Sequence, residues 1–392
     1  MLNVRQIKFN DLPARPNSVK RYGVISDVHL GHPRTPTWHI IKTLNKYVTN
    51  VKFMSDIDAL FVPGDLFDRL LNLPTTDVED INEWIERILR LSKSCRTPIR
   101  ILEGTPSHDW KQSATITNTN ELYKIGADVM YIEDLSIIED ESLGMTIGYV
   151  PDEYRESCEQ TTVEFQELMA TRGYDKVDMI FMHGMFEYQI PKAAAKSVSH
   201  FKENEWEAMV RHAIIIGHDH RHKSKGKIVV PGSWERLAHN EEDNKGCLVV
   251  DVGHDVTDVY HLTNEDAMWY ITIDGAKLTD VEVIAKAEHQ LHQFATLERP
   301  MGRLKVKYNR KYDISSRLAE WKKAFTEVVV EGASETDEEI AKSEIDDDFK
   351  LSGETININE ENIEGMIMRE ADVPPELMGY FQTEIQTVIS AI

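Results

Sequence analysis

Short apolar runs recur along the chain, and several of them end at acidic residues or histidines. The runs YGVIS, ALFVP, IRIL, VDMIFM and AIIIG are short, rich in β-branched residues and bounded by Gly or polar residues, which is typical of buried strands. Between two of these runs, the segment DVEDINEWIERILRLSK places its apolar residues at the spacing of one helix face: Ile81, Trp84, Ile85, Ile88 and Leu89. This alternation of strands and helices predicts a layered α/β core.

A change of pattern near residue 264 predicts a second, smaller unit. MWYITID and GRLKVKYNRK are typical of strands, residues 280–297 have the periodicity of a helix, and SSRLAEWKKAF is typical of a short helix with a serine cap. The chain then becomes acidic and poor in apolar residues, as in a linker, before helical periodicity returns. We therefore predict these domains: residues 1–263, 264–332, 333–361 (the linker) and 362–392 (a helical segment).

Composition places the chain in the soluble globular class. Of its 392 residues, 41% are hydrophobic and 28% are charged. No apolar run approaches the ~18 residues that a membrane span needs, and the N-terminus lacks the apolar segment of a signal peptide. Three widely spaced cysteines predict neither a disulfide framework nor a cysteine metal clip. We expect a cytoplasmic protein with no membrane association.

The charge of the chain counts against a nucleic-acid ligand. The net charge is −23, and residues 331–392 contribute −14 of it, with 17 acidic and 3 basic side chains. The remaining −9 belongs to residues 1–330. Such a chain repels nucleic acid unless metal ions or local basic patches intervene.

Six side chains that bind metals well follow the predicted strands directly. They are Asp27, His29, Asp65, His183, His218 and His220. The strand ends at one edge of an α/β sheet converge, so these residues can meet in space. Divalent metals such as manganese accept oxygen and imidazole ligands, and a central Asp65 can bridge two ions. A single D-x-H or H-x-H pair arises by chance, but several at successive strand ends indicate a metal site.

The order of these segments resembles that of a known superfamily. SDVHLGH, GDLFDR, SHD, MHG and GHDH are similar to the ordered motifs of the calcineurin-like metallophosphoesterases. VVPGSWERL followed by GCLVVDV resembles, more narrowly, the SbcD-type nuclease subunit of bacteria and phages. The resemblance covers about residues 20–330. It implies a four-layer αββα sandwich with a small α+β capping domain and a C-terminal helical segment.

The resemblance also implies two manganese ions, with magnesium as the alternative, and assigns their ligands. One ion is held by Asp27, His29, Asp65 and His220, and the other by Asp65, His183, His218 and the residue before His108. That last residue is normally asparagine in the family. Here it is Ser107, and two extra residues lengthen the loop after Gly104. Either Ser107 reaches the second ion, with Pro106 stiffening the loop, or a water takes the place of a protein ligand.

Two further residues receive catalytic roles from the resemblance. His108 is expected to act on the leaving oxygen as a general acid or a cationic stabiliser. Asp68 is expected to hydrogen-bond His108 and keep it protonated. Asp109 is expected to hold the loop.

The implied activity is that of a DNA 3′–5′ exonuclease and endonuclease in recombination, repair or replication. The implied partners are duplex DNA ends, an SbcC-type coiled-coil ATPase bound by residues 362–392, and a second copy in a homodimer. Helical apolar faces in residues 362–392 can instead fold back on the core of the same chain. The expected DNA-binding residues lie on and after one alternating strand: Arg303, Lys305, Lys307, Arg310 and Lys311.

Three alternatives remain open at this point. The basic strand can be a solvated face without a ligand. The chain can be a phosphatase or a small-molecule phosphodiesterase of the same superfamily, which keeps the metals but needs no basic cap. It can also be a binding subunit whose site has decayed, with Ser107 as the sign of lost catalysis.

Overall fold

A computed structural model describes residues 2–71, 75–190, 198–254, 257–295, 301–309, 311 and 314–333. The predicted helical segment at 362–392 lies outside the described residues, as does the predicted linker at 333–361 apart from its first residue. The strands are β1 (Asn3–Lys8), β2 (Lys20–Val24), β3 (Ala59–Pro63), β4 (Ile99–Leu102), β5 (Val129–Ile132), β6 (Ser136–Asp140), β7 (Met145–Val150), β8 (Val177–His183), β9 (Val210–Gly217), β10 (Lys223–Lys225), β11 (Ile228–Val230), β12 (Gly246–Val252), β13 (Thr257–Thr263), β14 (Trp269–Gly275), β15 (Gly302–Asn309) and β16 (Glu327–Ala333).

Within the described part of the chain, α-helices lie in seven of the connections between successive strands. They are α1 (Thr37–Tyr47), α2 (Val51–Asp56), α3 (Thr76–Cys95), α4 (Pro106–Asp109), α5 (Ala114–Leu122), α6 (Cys158–Arg172), α7 (Glu203–Ala208), α8 (Asp280–Ala295) and α9 (Ser315–Ala324). The sequence predicts α3 from its apolar spacing, and that face is buried. The side chain of Thr75 caps its first turn, and Arg96 ends it in the left-handed region at φ 58°. Among the described residues, no helix has both the length and the apolar character to cross a bilayer.

The strands form two large sheets and one small sheet. The first large sheet has the order β1-β13-β12-β2-β3-β4-β5, and the second has the order β10-β11-β9-β8-β7-β6. Within the first, β2, β3, β4 and β5 run parallel, and within the second β7, β8, β9 and β11 run parallel. Parallel neighbours end at the same edge, which sets where loop residues can meet.

The two large sheets stack face to face between two layers of helices. One apolar cluster fills the space between the sheets, where the rings of Phe61 and Phe181 stack with centroids 4.0 Å apart. A second cluster packs α1, α2 and α3 against the first sheet, and a third packs α6 and α7 against the second. The predicted α/β architecture with an αββα layer order is therefore confirmed.

A small third sheet follows residue 264 and belongs to the same compact unit, Met1–Glu335, as the two large sheets. Its order is β14-β15-β16, its strands are all parallel, and α8 and α9 lie between them in the chain. It docks onto the loop after β2, because the hydroxyl of Tyr270 lies 3.0 Å from that of Thr35 and the Arg303 guanidinium donates to the carbonyl of Arg34 at 2.9 Å. The small sheet therefore stands beside the loop that carries the first candidate metal ligands.

Candidate metal centre

The predicted metal ligands other than Ser107 lie at the carboxyl ends of parallel strands. Asp27 and His29 follow β2, and Asp65 follows β3 in the same sheet. His183 ends β8, and His218 and His220 follow β9 in the second sheet. Their donor atoms form three groups in which all members lie within 4.8 Å of one another: Asp27, His29 and His220; Asp65, His183 and His218; His29, Asp65 and His108.

The backbone at these positions is held in a conformation that ordinary residues avoid. Asp27, His29 and Asp65 have φ of 49°, 53° and 50°, and His218 has φ of 94°. Each such residue costs about 1–3 kcal/mol and persists only where the surrounding structure enforces it. Four of them among six candidate ligands indicate that the fold maintains this cluster for a function.

Two glycines allow the strand ends to approach each other closely. Gly64 has φ of 89°, and a Cβ atom there would lie 2.1 Å from Nδ1 of His183. A Cβ atom on Gly104 would lie 2.1 Å from the backbone nitrogen of Asp65. Neither position can accept a side chain without moving a candidate ligand.

The candidate ligand atoms of the first group face one another, and one of them lacks a hydrogen-bond partner. Nε2 of His29 lies 3.1 Å from Nε2 of His220, and Oδ1 of Asp27 lies 4.0 Å from that same nitrogen. Among the described residues, Oδ2 of Asp27 is buried without a hydrogen-bond partner. Buried polar atoms are normally paired. A divalent cation here would be a partner for Oδ2 of Asp27 and for both Nε2 atoms, so the residues present fit a metal ion.

Both histidines of the first group have a carboxylate on their far side. Oδ1 of Asp68 lies 3.2 Å from Nδ1 of His29, and Oε1 of Glu241 lies 2.8 Å from Nδ1 of His220. Donation from Nδ1 of His220 to Glu241 leaves Nε2 of His220 with its lone pair directed at the cluster. Burial opposes a charge on His220, but Glu241 outweighs it and raises the pKa of His220 to about 9. A site that holds a proton this strongly also attracts a cation, which displaces the proton on binding.

Glu241 is a residue that the sequence reasoning missed. It is 1% exposed and also pairs with Lys245, whose Nζ lies 3.3 Å away. Lys245 in turn donates to the backbone carbonyl of His220 at 2.8 Å. Glu241 lies in the segment HNEEDNKG, which contains neither a strand nor a helix period to mark one of its acidic residues.

The second group is built around Asp65 and His183. Oδ1 of Asp65 lies 3.2 Å from Nε2 of His183, while Nδ1 of His183 donates to the carbonyl of Pro63 at 2.8 Å. Burial opposes ionisation of both, but their contact holds the pKa of Asp65 well below its usual value and that of His183 well above.

Asp152 is a second residue that the sequence reasoning missed. It follows β7 at the same edge, and its Oδ2 lies 3.9 Å from Nδ1 of His218. Asp152 follows a strand end, as the six candidate ligands do, so the same sequence pattern could have identified it.

Thr105, and not Ser107, lies within the second group. The Thr105 hydroxyl is 3.2 Å from Oδ2 of Asp65, 3.3 Å from Nε2 of His183 and 3.2 Å from Nδ1 of His218. Ser107 is exposed on the short helix α4. Thr105, which directly follows Gly104, therefore takes the place in the second group that the sequence analysis expects for Ser107.

His108 reaches the centre. The predicted contact between Asp68 and His108 is not formed. Nδ1 of His108 lies 3.0 Å from Oδ2 of Asp65, whereas the side chain of Asp68 is placed behind His29. Burial opposes a charge on His108, and the contact with Asp65 outweighs it and raises the pKa of His108. Asp65, rather than Asp68, is thus the direct partner that favours the protonated imidazole.

Asp109 holds the turn that carries His108. Its carboxylate is 0% exposed and accepts three backbone N–H groups, from Asp65 at 3.1 Å, Phe67 at 2.9 Å and Gly104 at 2.8 Å. These bonds tie the loop after β3 to the loop after β4.

Replacing Asp109 should destabilise the protein. Asp109→Ala leaves three buried N–H groups without an acceptor, at about 1–3 kcal/mol each, so the free energy of unfolding should fall by about 3 kcal/mol or more. Asp109→Asn keeps one acceptor oxygen and should lose less. Urea denaturation measures both, and midpoints equal to that of the wild type would contradict this role.

The expected DNA-binding residues are partly engaged within the small sheet. Arg303 pairs with Glu327, and Nζ of Lys305 lies 3.0 Å from Glu331, both on the neighbouring strand β16. Lys307 lies on the same face of β15, and Lys311 is exposed in the following turn. Arg310 lies outside the described residues. These ion pairs reduce the positive charge that the strand offers to a phosphate.

Comparisons with known proteins add little to this picture. No family model matches the chain, and no curated protein matches it. Among solved structures, the protein TT1561 of Thermus thermophilus aligns with a TM-score of 0.37 and 14% identity, over 60% of this chain and 99% of that one.

Proposed function

We propose that this protein is a two-metal phosphodiesterase that cleaves DNA, with manganese ions held by the first and second groups and with Asp65 as a ligand common to both ions. The observation that carries the proposal is the position of this one buried carboxylate between two clusters. Its Oδ2 lies 3.8 Å from Nε2 of His29 in the first group, and its Oδ1 lies 3.2 Å from Nε2 of His183 in the second.

Divalent cations at these two positions would supply the positive charge that activates a water molecule and neutralises a phosphate. The chain itself supplies the proton for the leaving oxygen. His108 has Nδ1 against Asp65, which leaves Nε2 free to face a bound phosphodiester. A protonated imidazole there donates to the departing oxygen, a step that general acids commonly accelerate by about 10²–10⁴-fold.

DNA is the proposed substrate because the resemblance over about residues 20–330 implies it, and the position of the small sheet supports it. β15 docks through Arg303 onto Arg34, five residues after the candidate ligand His29. A duplex held along this sheet would therefore lie near the metal groups. Because the chain is acidic and two of the basic side chains are paired, DNA binding should be modest and should weaken as the salt concentration rises.

A second candidate is a phosphatase or small-molecule phosphodiesterase, which needs the metals but no basic surface. The pairing of Arg303 with Glu327 and of Lys305 with Glu331 favours it. The decayed-site alternative has less support, because Thr105 gives the second group a polar oxygen where Ser107 does not.

The test is hydrolysis at matched enzyme concentration of linear duplex DNA, bis(p-nitrophenyl) phosphate and p-nitrophenyl phosphate, with Mn²⁺ or with a chelator. We expect Mn²⁺-dependent shortening of DNA and turnover of the diester. Turnover of a small substrate with intact DNA would support the second candidate. Bound manganese with no hydrolysis of any substrate would support the decayed site.

We further propose that residues 362–392 bind a coiled-coil ATPase of the SbcC type and that the acidic segment before them is a tether. Apolar residues at helical spacing in this segment support the proposal. Coexpression of such an ATPase with the full chain and with a chain ending at residue 361 tests it. Equal copurification of both chains would place the interface elsewhere.

A further inference from the structure

The two metal positions differ in how the chain supports their ligands. The first position, formed by Asp27, His29 and His220 with Asp65, has a carboxylate behind each imidazole: Asp68 at 3.2 Å from His29 and Glu241 at 2.8 Å from His220. A carboxylate on the far nitrogen fixes the tautomer and makes the ligating nitrogen more basic.

The second position, formed by Asp65, His183 and His218, lacks such support. A neutral carbonyl, that of Pro63, accepts from Nδ1 of His183. Nδ1 of His218 faces the Thr105 hydroxyl at 3.2 Å, and Oδ2 of Asp152 lies 3.9 Å from that same nitrogen, so Asp152 does not support the imidazole from behind. Asp65 is the only carboxylate in this group and is shared with the first position.

The Thr105 hydroxyl faces three ligand atoms of the second position, which are one carboxylate oxygen and two imidazole nitrogens. Its oxygen lies 3.2–3.3 Å from Asp65, His183 and His218, and the residue is 8% exposed. The Thr105 N–H donates to Oδ1 of Asp65 at 2.6 Å, which fixes the residue in place. A hydroxyl has one proton and two lone pairs, so its oxygen can face a cation while its proton is donated to a neighbouring acceptor.

We propose that the two positions bind divalent cations with unequal strength and that the hydroxyl of Thr105 is the protein donor that completes the second, weaker position. This inference rests on the proposed two-metal function. Metal affinity in oxygen-rich sites rises with the charge of the ligands. The first position has two carboxylates among its ligands and two behind them, whereas the second has one shared carboxylate and a neutral hydroxyl.

The consequence is a centre whose occupancy follows the free metal concentration. The first position fills at low concentration, and the second fills only as the concentration rises. Hydrolysis, which needs both, should therefore switch on at a higher metal concentration than the one at which the first ion binds.

The test counts bound Mn²⁺ by electron paramagnetic resonance of the free ion, without reference to activity. The wild type should bind two ions in two separate steps. Thr105→Val, which removes the hydroxyl and keeps the shape, should weaken only the second step, by about tenfold or more. Thr105→Ser keeps the hydroxyl and should therefore bind the second ion with the affinity of the wild type. Ser107→Ala removes the exposed hydroxyl on the same loop and should leave both steps unchanged.

The outcomes separate this inference from the proposed function. Two steps of equal affinity in the wild type, or a second step unaltered by Thr105→Val, would overturn the inference and leave the two-metal site standing. Weakening by Ser107→Ala instead would assign the second position to the serine. A wild type that binds no Mn²⁺ would overturn the proposed function itself.

Discussion

Replacing Asp65 by asparagine is expected to bring phosphodiester hydrolysis down to the level of the metal-free reaction. Asp65 is 1% exposed and is the one carboxylate whose two oxygens approach histidines of both metal groups. The amide removes the negative charge and presents an N–H₂ group to one of those histidines. Asparagine tolerates the left-handed backbone at this position, so the fold should persist.

The measurement combines turnover of linear DNA, metal content and thermal unfolding. Asp68→Asn is the matched control, since Asp68 lies three residues away and contacts the centre only through His29. Loss of a carboxylate behind a ligand typically costs about 10–100-fold, so this control should remain measurably active. Near-normal activity in Asp65→Asn with both ions bound would refute the shared carboxylate.

His108→Ala should lower turnover on DNA by about 10²–10⁴-fold while both ions remain bound. The reason is that His108 contacts the centre through Asp65 and is poised to donate a proton from Nε2. On bis(p-nitrophenyl) phosphate the loss should be much smaller, because p-nitrophenolate departs without a proton.

Two results would contradict this role for His108. Loss of a bound ion in His108→Ala would make it a ligand, as the group of His29, Asp65 and His108 permits. Equal losses on DNA and on the p-nitrophenyl diester would show that His108 does not act on the leaving oxygen.

The sequence predicts where the six candidate ligands lie, because its apolar runs show where the strands end. Apolar runs such as ALFVP and VDMIFM mark where each strand ends, and parallel pairing brings those ends to one edge. The distances between the ligands are not readable, since they depend on how two separate sheets stack.

The partners of the ligands were harder to predict. Asp68 was expected beside His108 and lies beside His29, because three loops converge there and chain spacing does not show which side chains meet. Thr105 was missed because Ser107 is the immediate neighbour of His108 in the sequence. The folded loop instead brings the Thr105 hydroxyl among Asp65, His183 and His218.

The basic strand shows a similar limit. The alternation of basic and apolar residues in this strand predicts one buried face, and Leu304 and Val306 are indeed buried on one face of β15. The glutamates that pair with Arg303 and Lys305 lie on β16, and the register between the two strands aligns Arg303 with Glu327. No local pattern in the sequence gives that register.

The most direct test of the two-metal centre is anomalous diffraction at the manganese edge from crystals soaked in Mn²⁺. The structure predicts two peaks about 3.5–4 Å apart. One should be bounded by Asp27, His29 and His220, the other by His183, His218 and Thr105, with Asp65 in contact with both. A single peak, or two peaks that are not both in contact with Asp65, would contradict a two-metal centre with a shared carboxylate.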